Sequence, residues 1–152
     1  MVAELKRAQV KAGHISFTDK TVREIMTTEV VTLSADDTLR LAYDIMALAN
    51  LRFFPVLQAE KIIGVVSWVD LMRASLASAV RRGQQPLREA LGSVAIRDVT
   101  MGSPINISAN LTIREAARIM VEKRAECLLV VEGEALIGLA TRTDLLREVA
   151  KS

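Results

Sequence analysis

The stretch Gly64-Val65-Val66-Ser67-Trp68-Val69-Asp70-Leu71 is written a second time as Gly138-Leu139-Ala140-Thr141-Arg142-Thr143-Asp144-Leu145. In each copy a glycine opens an apolar run, a hydroxyl residue closes it, and an aspartate stands three places further on. Working outward from these stretches, Val22–Arg73 lies on Ile96–Arg147 without a gap. Identities fall at Ser34/Ser108, Ala35/Ala109, Thr38/Thr112, Ile45/Ile119 and Met46/Met120. Most other positions exchange like for like, as in Ile25/Val99, Leu33/Ile107 and Val56/Val130. A repeat of this length defines the architecture before any single element is read. The chain is two copies of one unit.

Each unit predicts the order β-α-β-β-α, an α+β fold. Val30–Leu33 and Ile105–Ile107 are short β-branched runs expected as strands. Asp36 and Asn110 follow, where a side chain that accepts from free backbone N–H groups would cap a helix. Leu39, Ala42, Ile45, Met46 and Ala49 then recur at helical spacing, matched by Ile113, Ala116, Ile119 and Met120. Strands are expected at Phe53–Leu57 with Ile62–Ser67, and at Cys127–Val131 with Leu136–Thr141, joined by short polar turns. A last helix should begin near Asp70 and near Asp144. The middle strands are apolar throughout, so both of their faces need cover. A single unit buries little surface by itself, whereas two units about a pseudo-twofold axis can cover each other.

The expected organisation is an N-terminal helix and arm over residues 1–20, a first repeat over 21–82, a connector over 83–95 and a second repeat over 96–152. Gly83-Gln84-Gln85-Pro86 should break the connector into two helical pieces.

Composition narrows the function. Hydrophobic residues make up 51% of the 152, yet only 3% are aromatic, so the core must be aliphatic. Charged residues interrupt every apolar stretch well before the roughly 20 residues of a membrane span. No apolar segment near Met1 resembles a secretory leader. The one cysteine, Cys127, fits a reducing cytoplasm and reads as a small core residue. A net charge of +2 gives no electrostatic footprint for nucleic acid. His14 has no companion at metal-ligand spacing. No nucleophile elbow, phosphate loop or dinucleotide fingerprint is present, so no catalysis is expected.

The repeated Gly-apolar-apolar-Ser/Thr-x-x-Asp stretch resembles the signature of the CBS (cystathionine beta-synthase) domain family. Val22-Arg23-Glu24-Ile25-Met26-Thr27 is similar to that family's opening segment, and Phe54-Pro55-Val56 to its second-strand motif. The resemblance implies a regulatory tandem pair, often doubled into a homodimer, with AMP, ADP, ATP or S-adenosylmethionine held in clefts between the repeats. It implies further that the signature aspartates, Asp70 and Asp144, hold ribose hydroxyls, and that Ser67 and Thr141 meet the phosphate. The chemistry agrees. A carboxylate offers two acceptor oxygens, and a helix N-terminus favours an anion. No cofactor is required by this reading.

If a cleft joins one repeat's signature to the other repeat's walls, Thr141, Arg142 and Asp144 face Thr28, Val31, Leu51, Arg52 and Phe53. The opposite cleft then joins Ser67, Trp68 and Asp70 to Ile105, Ala125 and Glu126. With two arginines in the first and an indole and a glutamate in the second, the Asp144 cleft is expected to be the main phosphate-bearing site. Trp68 is also expected at a dimer surface or a cleft mouth. The resulting expectation is an adenosyl-nucleotide sensor acting through conformational or dimer rearrangement on an unidentified effector protein. The competing expectation is a ligand-free dimerisation or scaffold module.

Overall fold

The computed structural model describes residues 19–82, 87–99 and 101–151. Residues 1–18 of the expected N-terminal arm and the Gly83–Pro86 break lie outside them. The first unit contains α1 (Val22–Ile25), β1 (Leu33–Ser34), α2 (Leu39–Ala49), β2 (Phe53–Gln58), β3 (Lys61–Ser67) and α3 (Trp68–Arg82). After α4 (Leu87–Leu91) and a short 3₁₀ turn (Ile96–Asp98), the second contains β4 (Asn106–Ser108), α5 (Ile113–Lys123), β5 (Cys127–Glu132), β6 (Ala135–Thr141) and α6 (Arg142–Ala150).

Each unit has its own three-stranded sheet, ordered β1-β2-β3 and β4-β5-β6. The first two strands run parallel, which requires the intervening helix as a crossover, and the last two form a hairpin. Register repeats as faithfully as sequence. Leu33 lies beside Val56 and Val56 beside Gly64, while Ile107 lies beside Val130 and Val130 beside Gly138.

Of their predicted stripes, α2 buries Leu39, Ala42 and Met46 and α5 buries Ile113, Ala116 and Met120, while Ile45 and Ile119 are half-buried and Ala49 is exposed. Their caps differ from expectation. Thr38 accepts from Leu41 N–H at 3.3 Å, and Thr112 accepts from Glu115 N–H at 3.2 Å. In return, the Glu115 carboxylate accepts from Thr112 N–H at 2.8 Å, completing a capping box. Asp36 and Asn110 lie two residues too early to reach those amides. Asp36 pairs instead with Arg97, and Asn110 N–H donates to Ser108 Oγ at 3.2 Å.

The opening segment of each unit leaves its own sheet and packs on the other unit. Val22 N–H donates to Leu111 O at 2.8 Å, and Arg23 N–H to Ala109 O at 3.0 Å. The Val22 side chain is fully buried among Ile107, Ile113, Leu128 and Leu145 of the second core. In return, Ile96 N–H donates to Asp37 O at 2.8 Å, and Ile96 and Val99 enter the first core beside Leu33, Phe54 and Leu71. Each segment then pairs with the far sheet's edge. Thr27 exchanges bonds with Leu139 at 2.8 and 2.9 Å, and Gly102 with Val65 at 3.0 and 3.1 Å. The signature glycines permit this approach. A methyl group on Gly64 would strike the Met101 side chain, and one on Gly138 would lie 2.6 Å from Met26 Sδ and 3.0 Å from Thr27 O. Buried Val65, Leu129 and Leu139 fill the space between the two sheets.

Candidate functional site

Ser67 is the last residue of β3, and Asp70 sits in the first turn of α3. The Asp70 Oδ2 atom accepts from Ser67 N–H at 2.8 Å and from Ser67 Oγ at 2.9 Å, while Asp70 N–H donates to Ser67 Oγ at 3.2 Å. This is a capping box, and it fixes the carboxylate through one oxygen. Among the described residues, Asp70 Oδ1 has no partner. The carboxylate is therefore held at one oxygen and open at the other, beside a cleft of about 910 Å³.

Two units build that cleft. The first contributes Phe53, Val65, Ser67, Asp70 and Arg73. The second contributes its opening segment, Gly102 to Asn106, and the end of α5 with the residues leading to Cys127. Phe53 is drawn in because β2 and β3 pair it directly with Ser67. Ile105 arrives because the segment that crosses over at Gly102 must return past the cleft to begin β4. The walls are apolar at Phe53, Val65 and Ile105, with Asp70 and a group of basic side chains at the rim.

The equivalent carboxylate in the second unit is more enclosed. Asp144 is 9% exposed. Its Oδ2 accepts from Thr141 N–H and Oγ1, both at 2.8 Å, and its Oδ1 faces Arg147 Nη1 at 3.3 Å. Both oxygens of Asp144 have protein partners. One of Asp70's does not.

The side chains expected to rank the two clefts are turned elsewhere. The Trp68 indole stacks on Tyr43, with ring centroids 5.7 Å apart. It shares a small hollow of about 300 Å³ with Leu51, Arg52, Asn50 and Met46. Arg142 pairs with Glu126 at 2.8 Å within its own unit. The physical reason is common to both. Trp68 N–H is tied to Arg52 O and Arg142 N–H to Glu126 O, each at 3.0 Å, so the residue after the hydroxyl lies against its own unit. Glu126 lines the Asp70 cleft, but its charge there is balanced by Arg142. Thr28 and Val31 are exposed. Arg73, Lys123 and Arg124 line the Asp70 cleft and were not expected there. Arg73 was legible as an identity with Arg147 three residues after the signature aspartate, whereas Lys123 and Arg124 carried no signal. Cys127 also lines the cleft, and burial, aided by the Asp144 charge, pushes its thiol up to about 12.

A second concavity, about 800 Å³ and largely apolar, lies along α5 and α6 between Ala117, Val121, Leu146 and Val149. Val121 and Leu146 are 79% and 59% exposed. In the first unit Leu48, Leu76 and Val80 are exposed. Among the described residues no metal-holding group occurs, and no helix is long and apolar enough to cross a membrane.

Comparison with known proteins agrees with the repeat. The CBS domain family model matches residues 22–77 and again 96–151. A curated relative, CBS domain-containing protein YhcV of Bacillus subtilis, is 26% identical over 124 residues, covering 82% of this chain and 81% of that protein. Inosine-5'-monophosphate dehydrogenase of Thermoplasma acidophilum is 27% identical over 148 residues. There the match covers 95% of this chain but 27% of the enzyme's length. The CBS domain of a CBS domain-containing membrane protein from Sphaerobacter thermophilus has a TM-score of 0.74 at 25% identity, with 97% of each chain covered. The CBS domain of a bacterial CNNM/CorC family Mg2+ transporter, solved in complex with ATP, has a TM-score of 0.72 at 19% identity, with 99% and 98% covered.

Proposed function

The chain belongs to the CBS-domain family, and on that premise we propose that it is a non-catalytic cytoplasmic sensor that binds an adenosyl nucleotide in the Asp70 cleft and transmits occupancy through the packing of its repeats. One observation carries this reading. The capping box holds Asp70 Oδ2 and, among the described residues, leaves Oδ1 unpartnered beside a two-unit cleft. A carboxylate so placed is pre-oriented to accept from ribose hydroxyls, and the bond gains strength from its charge. Phe53, Val65 and Ile105 offer the apolar slot that a purine needs. The ATP held by the transporter's CBS domain supports the ligand class.

The enclosed Asp144, with Thr141 beside it, would form the second and weaker site. Transmission follows from the cleft's construction. A ligand touching both Asp70 and the Gly102–Asn106 segment binds the first unit and the swapped segment of the second. It must therefore favour whichever arrangement holds those two together. The apolar face along α5–α6, with Val121 and Leu146 exposed, suits a second copy of the chain, whose twofold mate would cover it with the same patch. An effector protein would read the change.

Isothermal calorimetry with AMP, ADP, ATP and S-adenosylmethionine tests the reading. Heat of binding is expected for an adenosyl compound, abolished or weakened about tenfold or more in Asp70→Ala by the loss of a charge-assisted contact. Asp144→Ala should lose less. Silence toward every adenosyl compound would leave a dimerisation scaffold as the better account.

A further inference from the structure

Taking the Asp70 cleft as the nucleotide site, we propose that it selects its ligand by the length of the anionic tail, taking nucleoside di- and triphosphates in preference to AMP and excluding a cationic adenosyl tail such as a sulfonium. The cleft carries Arg73 on α3, and Lys123 and Arg124 at the end of α5. Among the described residues none of these three has a carboxylate partner. Glu126, a carboxylate of the same cleft, is already bonded to Arg142 at 2.8 Å. Arg147, the counterpart of Arg73, faces Asp144 Oδ1 at 3.3 Å, whereas Arg73 leaves Asp70 alone. Thus one cleft has an open acceptor and uncommitted cations side by side, and the other has closed the same pair on itself.

Arg124 adds an independent sign. It caps α5 at φ 52°, ψ 40°, the left-handed region that a side chain other than Gly or Asn occupies at a penalty. Its counterpart at the end of α2 is Asn50, at φ 52°, ψ 35°, a residue suited to that backbone. The second unit therefore keeps an arginine where the fold alone would favour asparagine. Lys123 and Arg124 have Ala49 and Asn50 as their counterparts, so the basic rim belongs to the Asp70 cleft only. Beyond Arg73 a neighbouring hollow of about 500 Å³ runs along α3 to Arg81, but Asp98 stands in it. A lengthening phosphate chain has the more favourable path toward Lys123 and Arg124.

The test is calorimetric titration of the full chain with adenosine, AMP, ADP, ATP and S-adenosylmethionine, repeated with Arg73→Ala, Arg124→Asn and the control Arg81→Ala. Affinity should rise with phosphate number, ATP exceeding AMP by about tenfold or more, and adenosine should exceed S-adenosylmethionine. Arg124→Asn should keep or raise the melting temperature while narrowing the ATP-to-AMP ratio severalfold, a combination that structural damage does not produce. Arg73→Ala should narrow it likewise, and Arg81→Ala should leave it unchanged. Equal affinities for AMP and ATP, or a ratio unmoved by Arg124→Asn, would overturn the tail selection while leaving nucleotide sensing intact. Failure of all five compounds to bind would overturn both.

Discussion

Gly138 shows how much one missing methyl group can decide. Its hydrogen faces Met26 Sδ and the Thr27 carbonyl, the latter part of a backbone pair that joins the two units. The thioether can swing aside, but the carbonyl oxygen, bonded to Leu139 N–H at 2.9 Å, cannot move without breaking that pair. Gly138→Ala should therefore destabilise the chain by about 1–3 kcal/mol, as overpacking does. Chemical denaturation measures it, and a change within error of zero would mean that the opening segment is not held as described. The same residue scale explains the signature's hydroxyl and aspartate. Both are helix-capping groups first, and Asp70 becomes a candidate ligand group only through its spare oxygen. Cys127, by contrast, is chemically quiet. A thiol raised to about 12 is almost wholly protonated at neutral pH and a poor nucleophile.

Among the elements, the β2–β3 hairpin carries an avoidable strain. Ala59 and Glu60 occupy φ 49° and 64°, the left-handed pair of a type I′ turn, which Asn-Gly supplies best. The second hairpin has Gly133 at φ 61° in the place of Ala59. Ala59→Gly should stabilise the protein by about 1 kcal/mol and raise its melting temperature by a few degrees. A lower melting temperature would show that the unfolded chain's added freedom outweighs the relief.

Helix α6 carries a different device. Buried Glu148 is bonded to Lys151 at 2.6 Å and to Lys20, ahead of α1, at 2.8 Å. These two bonds hold its carboxyl below the ordinary 4.5, and the bond to Glu148 raises Lys20 above 10.5. A lowered carboxylate contributes stability that is complete above 4.5 and is lost as pH falls through its folded value. The raised lysine contributes below 10.5 and loses its share as pH rises through its own. Acid titration of the melting temperature should therefore decline below pH 4.5 in the native chain and less steeply in Glu148→Gln. Parallel curves would remove Glu148 from the account.

At the scale of the molecule, the exchange of opening segments makes the two repeats one cooperative body. Val22 belongs to the first repeat in sequence and to the second in space, and Ile96 and Val99 do the reverse. Val22→Ala removes apolar volume from the second core at a cost of about 2 kcal/mol. The only tryptophan, Trp68, lies against the first core. Its fluorescence should nonetheless lose structure at the same, lowered denaturant concentration as the far-UV circular dichroism. A Trp68 transition left in place while the dichroism splits into two steps would show the units to be independent. The Asp70 cleft depends on this exchange, since Gly102 reaches it only because its segment has crossed to β3.

The sequence by itself determined the unit and its number. Repetition, continuous apolar runs and helical spacing are local or additive signals, and they placed β2, β3, β5 and β6 within a residue or two and located both signature carboxylates. Short-range geometry was less legible. Asp36 and Thr38 are both good caps on paper, and only the backbone path selects Thr38. What tertiary structure alone decided was pairing across the molecule. It placed Lys123, Arg124 and Phe53 beside Asp70, turned Trp68 onto Tyr43, and set Arg142 against Glu126. It also closed Arg147 on Asp144 while leaving Arg73 apart from Asp70. Those outcomes depend on which surfaces meet once each opening segment has crossed over, and residues brought together from distant parts of a chain leave no periodicity to read.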